Sequence, residues 1–82
     1  MNAHAHPLEK TGILRVTGGI RSDEQALALK AALEDLPGVY GAATTRDAVM
    51  LRLDPGLAHE QQLYEAVKLM GFRASDFFLA ES

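Results

Sequence analysis

The sequence predicts a single α+β domain in which a four-stranded antiparallel sheet carries two helices on one face. Three observations support this fold class. The chain has 82 residues, which is enough for one small domain. Four short stretches have the composition and alternation of strands. Two further segments space their apolar residues three and four positions apart, as amphipathic helices do.

The composition narrows the classes of function. Apolar residues make up 48% of the chain and charged residues 23%, which is typical of a globular protein. The net charge of −3 does not favour nucleic-acid binding. No apolar stretch reaches the roughly 20 residues that span a bilayer, and the chain does not begin like a signal peptide. We therefore expect a cytoplasmic domain without membrane insertion. The absence of cysteine excludes disulfides and thiolate metal sites.

The chain is predicted to divide into a short leader and one domain. Residues 1–11 are polar and show no period, which indicates a flexible N-terminal leader, so the domain takes residues 12–82. The first strand is predicted over residues 13–17. Its alternation places Leu14 on the core side and Arg15 on the outer side of the sheet.

The start of the first helix gives the most specific local signal. Ser22 and Gln25 have the spacing of a capping box, in which the serine hydroxyl accepts from the Gln25 amide and the Gln25 side chain reaches back to the backbone. Asp23 and Glu24 place negative charge at the positive end of the helix dipole. An apolar stripe then follows at helical spacing: Ala26, Leu29, Leu33 and Leu36.

The second half of the chain predicts a hairpin, a helix and a short last strand. Residues 39–45 give a weak strand rich in small residues, which favours an edge position, and residues 48–53 give a strongly alternating one. A helix is predicted over residues 59–70, ended by Gly71 as a left-handed cap. The last strand takes residues 72–75. This β-α-β-β-α-β order is that of the ferredoxin-like fold.

Three stretches of the sequence resemble the heavy-metal-associated domain family. This family includes copper chaperones, mercury-binding proteins and the soluble modules of metal-pumping ATPases. The stretches are residues 33–39 (LEDLPGV), 49–55 (VMLRLDP) and 63–72 (LYEAVKLMGF). The resemblance covers residues 12–76. It implies a ferredoxin-like domain that is related to metal-handling proteins. The sequence also lacks a Ser-His-Asp order with supporting loops and a carboxylate pair typical of a catalytic cleft, so we expect that the chain is not an enzyme.

The family's metal site is a Gly-Met-x-Cys-x-x-Cys loop, and the resemblance places this loop on residues 19–25. The two cysteine positions are then Ser22 and Gln25. Two thiolates suit Cu(I) or Zn(II), whereas a neutral hydroxyl and an amide oxygen do not. We therefore expect no metal at these positions and no cofactor. The chain is expected to act as a protein-interaction module, as a monomer or weak homodimer, with a partner from metal transport or metal handling.

Two other functions remain open at this stage. Imidazole nitrogens of His4, His6 and His59 would bind Cu, Ni or Zn and make the chain a metal-binding or metal-delivery protein. The alternative is that these histidines are solvated polar residues. An ACT-like regulatory domain has a similar topology, and it would bind a small ligand at the interface of a dimer.

Two groups of residues are candidates for an interaction surface. Arg15, Arg52 and Arg73 are expected on the open face of the sheet, with Arg15 and Arg52 close together because the first and third strands are central neighbours. Such a cluster would meet an acidic partner or a nucleic acid, although solvated arginines are commoner. Phe77 and Phe78 belong to an apolar tail that either folds back and lengthens the last strand or contacts a partner.

Overall fold

A computed structural model describes residues 9–80 of the chain. The elements follow the predicted order: β1 (Lys10–Thr17), α1 (Asp23–Glu34), β2 (Val39–Thr44), β3 (Ala48–Leu53), α2 (Glu60–Leu69) and β4 (Arg73–Ala80). The strands form one antiparallel sheet in the order β2-β3-β1-β4. This confirms the predicted ferredoxin-like fold and the edge position of β2.

The core lies between one face of the sheet and the two helices. Because successive side chains of a strand point to opposite faces, every second residue of β1 and β3 is buried. The largest fully buried side chains are those of Leu14, Leu29, Leu33, Val49, Leu51, Leu53, Leu63 and Val67. The residues between them on the strands lie on the other side, which we call the open face.

The second helix begins and ends as its sequence predicts. His59 is the N-cap, and its side chain makes no capping hydrogen bond. At the other end the Phe72 N–H donates to the Val67 carbonyl and the Gly71 N–H donates to the Lys68 carbonyl, both at 3.0 Å. Gly71 has φ +87°, a left-handed conformation that a residue without Cβ adopts without strain. The helix therefore has a well-satisfied C-terminus and a less protected start.

The first strand begins earlier than predicted. Lys10 pairs with Leu53, and Thr11 pairs with Arg52. These two residues of the sheet were assigned to the leader, residues 1–11, because the polar end of a strand shows no apolar alternation. The strand therefore begins three residues earlier than the predicted start at residue 13.

The last strand is longer than predicted and runs over eight residues. Phe77 pairs with Leu14 and Phe78 pairs with Ile13, so the apolar tail lengthens the strand. Ser75 is an extra residue at an irregularity in this pairing. Because a bulge breaks the two-residue period, the alternation of the sequence stops at that point although the strand continues.

Candidate functional site

The loop between β1 and α1 is the segment onto which the sequence resemblance places a metal-binding loop. Gly18 and Gly19 both have positive φ, at +88° and +82°. The Ile20 N–H donates to the Arg46 carbonyl at 2.6 Å, and the Ile20 side chain is buried. The loop is thus fixed to the β2–β3 hairpin by a hydrogen bond and by a side chain in the core. This anchoring defines where α1 begins.

Ser22 and Gln25 form the predicted cap of α1. The Gln25 N–H donates to Ser22 Oγ at 3.1 Å. The Gln25 side chain folds back, and its Oε1 accepts from the Arg21 N–H at 3.1 Å. The capping box is present, with one difference: Gln25 reaches the residue before the cap instead of the cap itself. Both side chains are therefore engaged with backbone donors at the helix start.

The donors at this loop do not fit a soft metal ion. Cu(I) takes thiolate and thioether ligands, whereas Ser22 and Gln25 offer a neutral hydroxyl and an amide oxygen. Residues 9–80 contain no group of three or more His, Asp or Glu side chains placed to hold a metal ion. His59 is exposed at the start of α2. His4 and His6 lie outside the described residues.

The three arginines all lie exposed on the open face, but Arg15 and Arg52 are not neighbours. Arg15 pairs with Ala48, and Arg52 pairs with Thr11. The two arginines are therefore four residues apart along the strands, which is about 13 Å. The prediction that they lie close together was wrong, because alternation shows which face a residue occupies and not the register between strands.

The three arginines lie beside different residues on the open face. Arg15 lies opposite Asp76, and Arg73 lies opposite Thr17. The Arg52 guanidinium is 3.9 Å from the Glu9 carboxylate. It lies directly over Gly41, where an added Cβ would be 2.6 Å from Arg52 Nη2. The open face therefore presents separate positive charges, each on a different strand, instead of one cluster.

Phe77 and Phe78 face opposite sides of the sheet. Phe77 packs against the core cluster and lies over Gly12, where an added Cβ would be only 2.7 Å from Phe77 Cε1. Phe78 lies on the open face beside Ile13 and is 46% exposed. Folding back thus accounts for Phe77, while Phe78 presents an exposed aromatic ring on the open face.

Glu34 makes a contact that the sequence analysis missed. Its Oε2 accepts hydrogen bonds from Lys30 Nζ at 2.9 Å and from the Ala42 N–H at 3.0 Å. The hydrogen bond from Lys30, followed by that from Ala42, holds the pKa of the Glu34 carboxyl below its ordinary value, against the opposing effect of partial burial. The four-residue spacing of Lys30 and Glu34 was a visible signal. The partner on β2 had none, because it depends on how α1 packs on the sheet.

Comparison with known proteins identifies the fold. No family model and no curated protein matches the chain. Three solved structures resemble it. A CopZ metallochaperone has a TM-score of 0.73 and 22% identity, over 79% of this chain and 98% of that one. A copper binding domain from HMA7, a P-type ATPase, has a TM-score of 0.71 and 22% identity, over 88% and 95%. The N-terminal soluble domains of Bacillus subtilis CopA have a TM-score of 0.69 and 19% identity, over 79% and 45%.

At these identities the likeness shows a shared fold: the chain has the architecture of copper-binding heavy-metal-associated domains. Residues 9–80 contain two helices, α1 and α2, and neither is long and apolar enough to cross a membrane.

Proposed function

We propose that this chain is a non-catalytic protein-interaction domain, related to metal-handling proteins, that works without a thiolate metal site. Its partner is a component of metal transport or metal handling, and it acts in the cytoplasm as a monomer or weak homodimer. The likeness in fold to CopZ and to the HMA7 domain supports the relationship to metal handling. The chemistry of Ser22 and Gln25 supports the loss of the metal site.

The observation that carries the proposal is the cap of α1. The resemblance places two metal-binding cysteines where Ser22 and Gln25 stand. Here both side chains hold backbone N–H groups at 3.1 Å. A metal at this loop would have to break both hydrogen bonds in exchange for two weak oxygen ligands. A helix cap contributes about 0.5–2 kcal/mol to the stability of the folded chain. Because metal binding would sacrifice this contribution, the loop is better suited to start a helix than to bind a metal.

The perturbed titratable groups also support a non-catalytic domain. Perturbed pKa values are typical of active sites, but structural contacts cause them too. The pKa of Glu34 is lowered mainly by its hydrogen bond from Lys30. The pKa of the Tyr64 hydroxyl is raised by burial and then by its hydrogen bond with Glu60. Each shift has a structural cause in burial, in contacts along one helix or in the backbone hydrogen bond from Ala42, and this supports a domain without catalytic chemistry.

A competition titration tests the proposal. The chain is titrated with Cu(I) and Zn(II) against a chromogenic chelator, beside the double variant Ser22→Cys/Gln25→Cys. We expect no stoichiometric binding at the loop of the original chain, and we expect Cu(I) binding at one equivalent to appear in the variant. The variant is the matched control, because it changes only the two donors on the same scaffold. Stoichiometric Cu(I) binding that is lost in Ser22→Ala/Gln25→Ala would overturn the proposal.

A second candidate is metal binding through the histidines. Lys10, the first residue of β1, pairs with Leu53, and Leu53 lines the same hollow as His59. The start of β1 is therefore on the side of the domain where His59 lies. Titration with Cu(II), Ni(II) and Zn(II) tests this candidate: micromolar binding that disappears in His4→Ala/His6→Ala would support it and would replace the first proposal.

A further inference from the structure

The open face carries a row of apolar side chains, one from each strand. Ala43 pairs with Met50, Met50 pairs with Ile13, and Ile13 pairs with Phe78. We call these four residues the open-face row. Neighbouring strands lie about 4.8 Å apart, so the row is about 14 Å long. Met50 is 49% exposed and Phe78 is 46% exposed, although both are large and apolar. Ile13 lies between these two residues, so the row is continuous. A continuous row of exposed apolar side chains on a sheet face is typical of an interaction surface.

Arginines stand on both sides of the open-face row. Arg52 lies two residues beyond the row along β3, and Arg15 lies two residues beyond it in the opposite direction along β1, with Arg73 further along. The carboxylates near these arginines are Asp76, opposite Arg15, Glu9, at 3.9 Å from Arg52, and Glu34, which lines the same hollow as Arg52. Glu34 is itself paired with Lys30. Four positive charges therefore stand against three negative ones, which leaves this face slightly positive, whereas the whole chain carries −3.

The side chains of Arg15 and Arg73 have no ion-pair partner within residues 9–80. The contact of Arg52 with Glu9 is long, at 3.9 Å. All three side chains are exposed. A partner that brings carboxylates to both sides of the row would therefore gain attraction from Arg15 and Arg73 without displacing an ion pair, and at Arg52 it would compete only with the long contact to Glu9.

We propose that the open face binds an acidic amphipathic helix of a partner protein. The apolar stripe of that helix covers the open-face row, and carboxylates on its flanks meet Arg52 on one side and Arg15 on the other. A helix laid on the uncovered face of a sheet is a standard way to bury apolar residues. About ten helical residues match the 14 Å of the row. The inference rests on the proposed function, because it names the surface and the partner chemistry of the same interaction domain.

Other occupants fit the face less well. A second copy placed face to face would bring arginines toward arginines, which costs energy. Single-stranded nucleic acid stacks on aromatic side chains, and Phe78, on an edge strand, is the one aromatic residue of the row. Residues 1–8 of the chain contain no carboxylate, so they do not supply the complementary charge.

Peptide binding to the full chain tests this surface. The probe is a fluorescein-labelled, side-chain-linked helical peptide of about 20 residues, with a leucine stripe flanked on both sides by glutamate. Its control has the same stripe flanked by lysine. We expect the glutamate peptide to bind at least about tenfold more tightly than the lysine peptide. Amide chemical shifts should change at Ile13, Met50 and Phe78 and not at Ser22.

Variants of the protein locate the contact. Met50→Gln and Arg15→Glu should each weaken binding of the glutamate peptide by about tenfold. Matched controls are Leu69→Gln, at an 85% exposed leucine of α2, and Arg46→Glu, on the β2–β3 hairpin, and these should leave binding unchanged. Circular dichroism confirms that each variant is folded. Arg15→Glu should in addition narrow the difference between the glutamate and lysine peptides.

The inference would be overturned by no binding of the glutamate peptide at millimolar concentration or by equal binding of both peptides. Tighter binding of a single-stranded oligonucleotide at the same face, or dimers of the chain that Met50→Gln disrupts, would overturn it as well. Chemical-shift changes centred on the α1 start instead of the open face would also overturn it while leaving an interaction domain in place. Stoichiometric Cu(I) at the loop would contradict the proposed function, and it leaves the peptide result unaffected, so the two failures are distinguishable.

Discussion

The Glu34 carboxylate accepts a hydrogen bond from the backbone N–H of Ala42 at 3.0 Å, which connects the last turn of α1 to the edge strand β2. The same oxygen accepts from Lys30 Nζ at 2.9 Å. Because an unpaired edge strand is a template for association with another chain, a side chain that covers one of its donors protects this edge. Glu34 thus holds the helix on the sheet and partly closes the edge of β2.

The first prediction concerns the pH dependence of stability. Since the pKa of Glu34 is lowered below its ordinary value of 4.5, its ionised form stabilises the folded chain above that pH. The stabilisation is lost as the pH falls through the lowered pKa. Glu34→Gln keeps an oxygen for Ala42 but removes the charge that attracts Lys30. We expect the original chain to be more stable than the variant at pH 7, and the difference to shrink toward pH 3. Denaturant unfolding at several pH values measures it, and a constant difference would contradict the assignment.

The second prediction compares two glycines with the same backbone conformation. Gly38 and Gly71 have φ of +81° and +87°. Alanine at either position takes on a left-handed backbone, at a cost of about 1–2 kcal/mol. At Gly38 the new Cβ would also lie 2.7 Å from the Ala58 nitrogen, whereas at Gly71 it would meet open space. Gly38→Ala should therefore reduce the free energy of unfolding by at least about 1 kcal/mol more than Gly71→Ala. Equal losses would mean that the loop before α2 moves away freely.

The third prediction separates the two adjacent phenylalanines. Phe77 packs on the core over Gly12, and Phe78 lies on the open face. Phe77→Ala should lower the free energy of unfolding by about 3 kcal/mol, the lower end for a phenylalanine in a core. Phe78→Ala should lower it by less than about 1 kcal/mol. Urea unfolding of the two variants decides the point. A larger loss in Phe78→Ala would mean that the register of β4 is shifted by one residue, so that Phe78 instead of Phe77 faces the core.

The fold was predictable because its signals are local. The apolar spacing of both helices, the cap at Ser22, the left-handed glycine at Gly71 and the alternation of β3 each depend on a few neighbouring residues. Their order along the chain then allowed few topologies. The second half of β4, after Ser75, was not predicted, because local patterns do not show how a strand continues beyond a bulge. A single extra residue, Ser75, interrupts the alternation, and the following residues then resemble a tail.

The surface was less predictable because it depends on register and on helix packing. Alternation correctly placed Arg15 and Arg52 on the open face, but only the pairing of β1 with β3 shows that they stand on opposite sides of the open-face row. The row itself joins residues from four strands that are up to 65 positions apart in the chain. No local pattern marks such a set, and the same holds for the contact between Glu34 and Ala42.

The fourth prediction tests the helix cap. Ser22→Ala removes the acceptor of the Gln25 N–H and should lower the free energy of unfolding by about 0.5–2 kcal/mol. Ser22→Asp is the matched control, because a carboxylate oxygen accepts the same hydrogen bond and suits the positive end of the helix. We expect this control to retain most of the stability in thermal and urea unfolding. An unchanged stability in Ser22→Ala would mean that α1 does not depend on this cap.

The most direct measurement of the central claim is the amide spectrum of the loop in the presence of Cu(I). The claim is that Ser22 and Gln25 are helix-capping residues where the resembled family has metal ligands. With one equivalent of Cu(I), we predict that the Gln25 amide stays protected from hydrogen exchange and that the amide shifts of residues 19–25 do not move. Shifts centred on Ser22 and Gln25, together with lost protection of the Gln25 amide, would contradict the claim and restore a metal site to this loop.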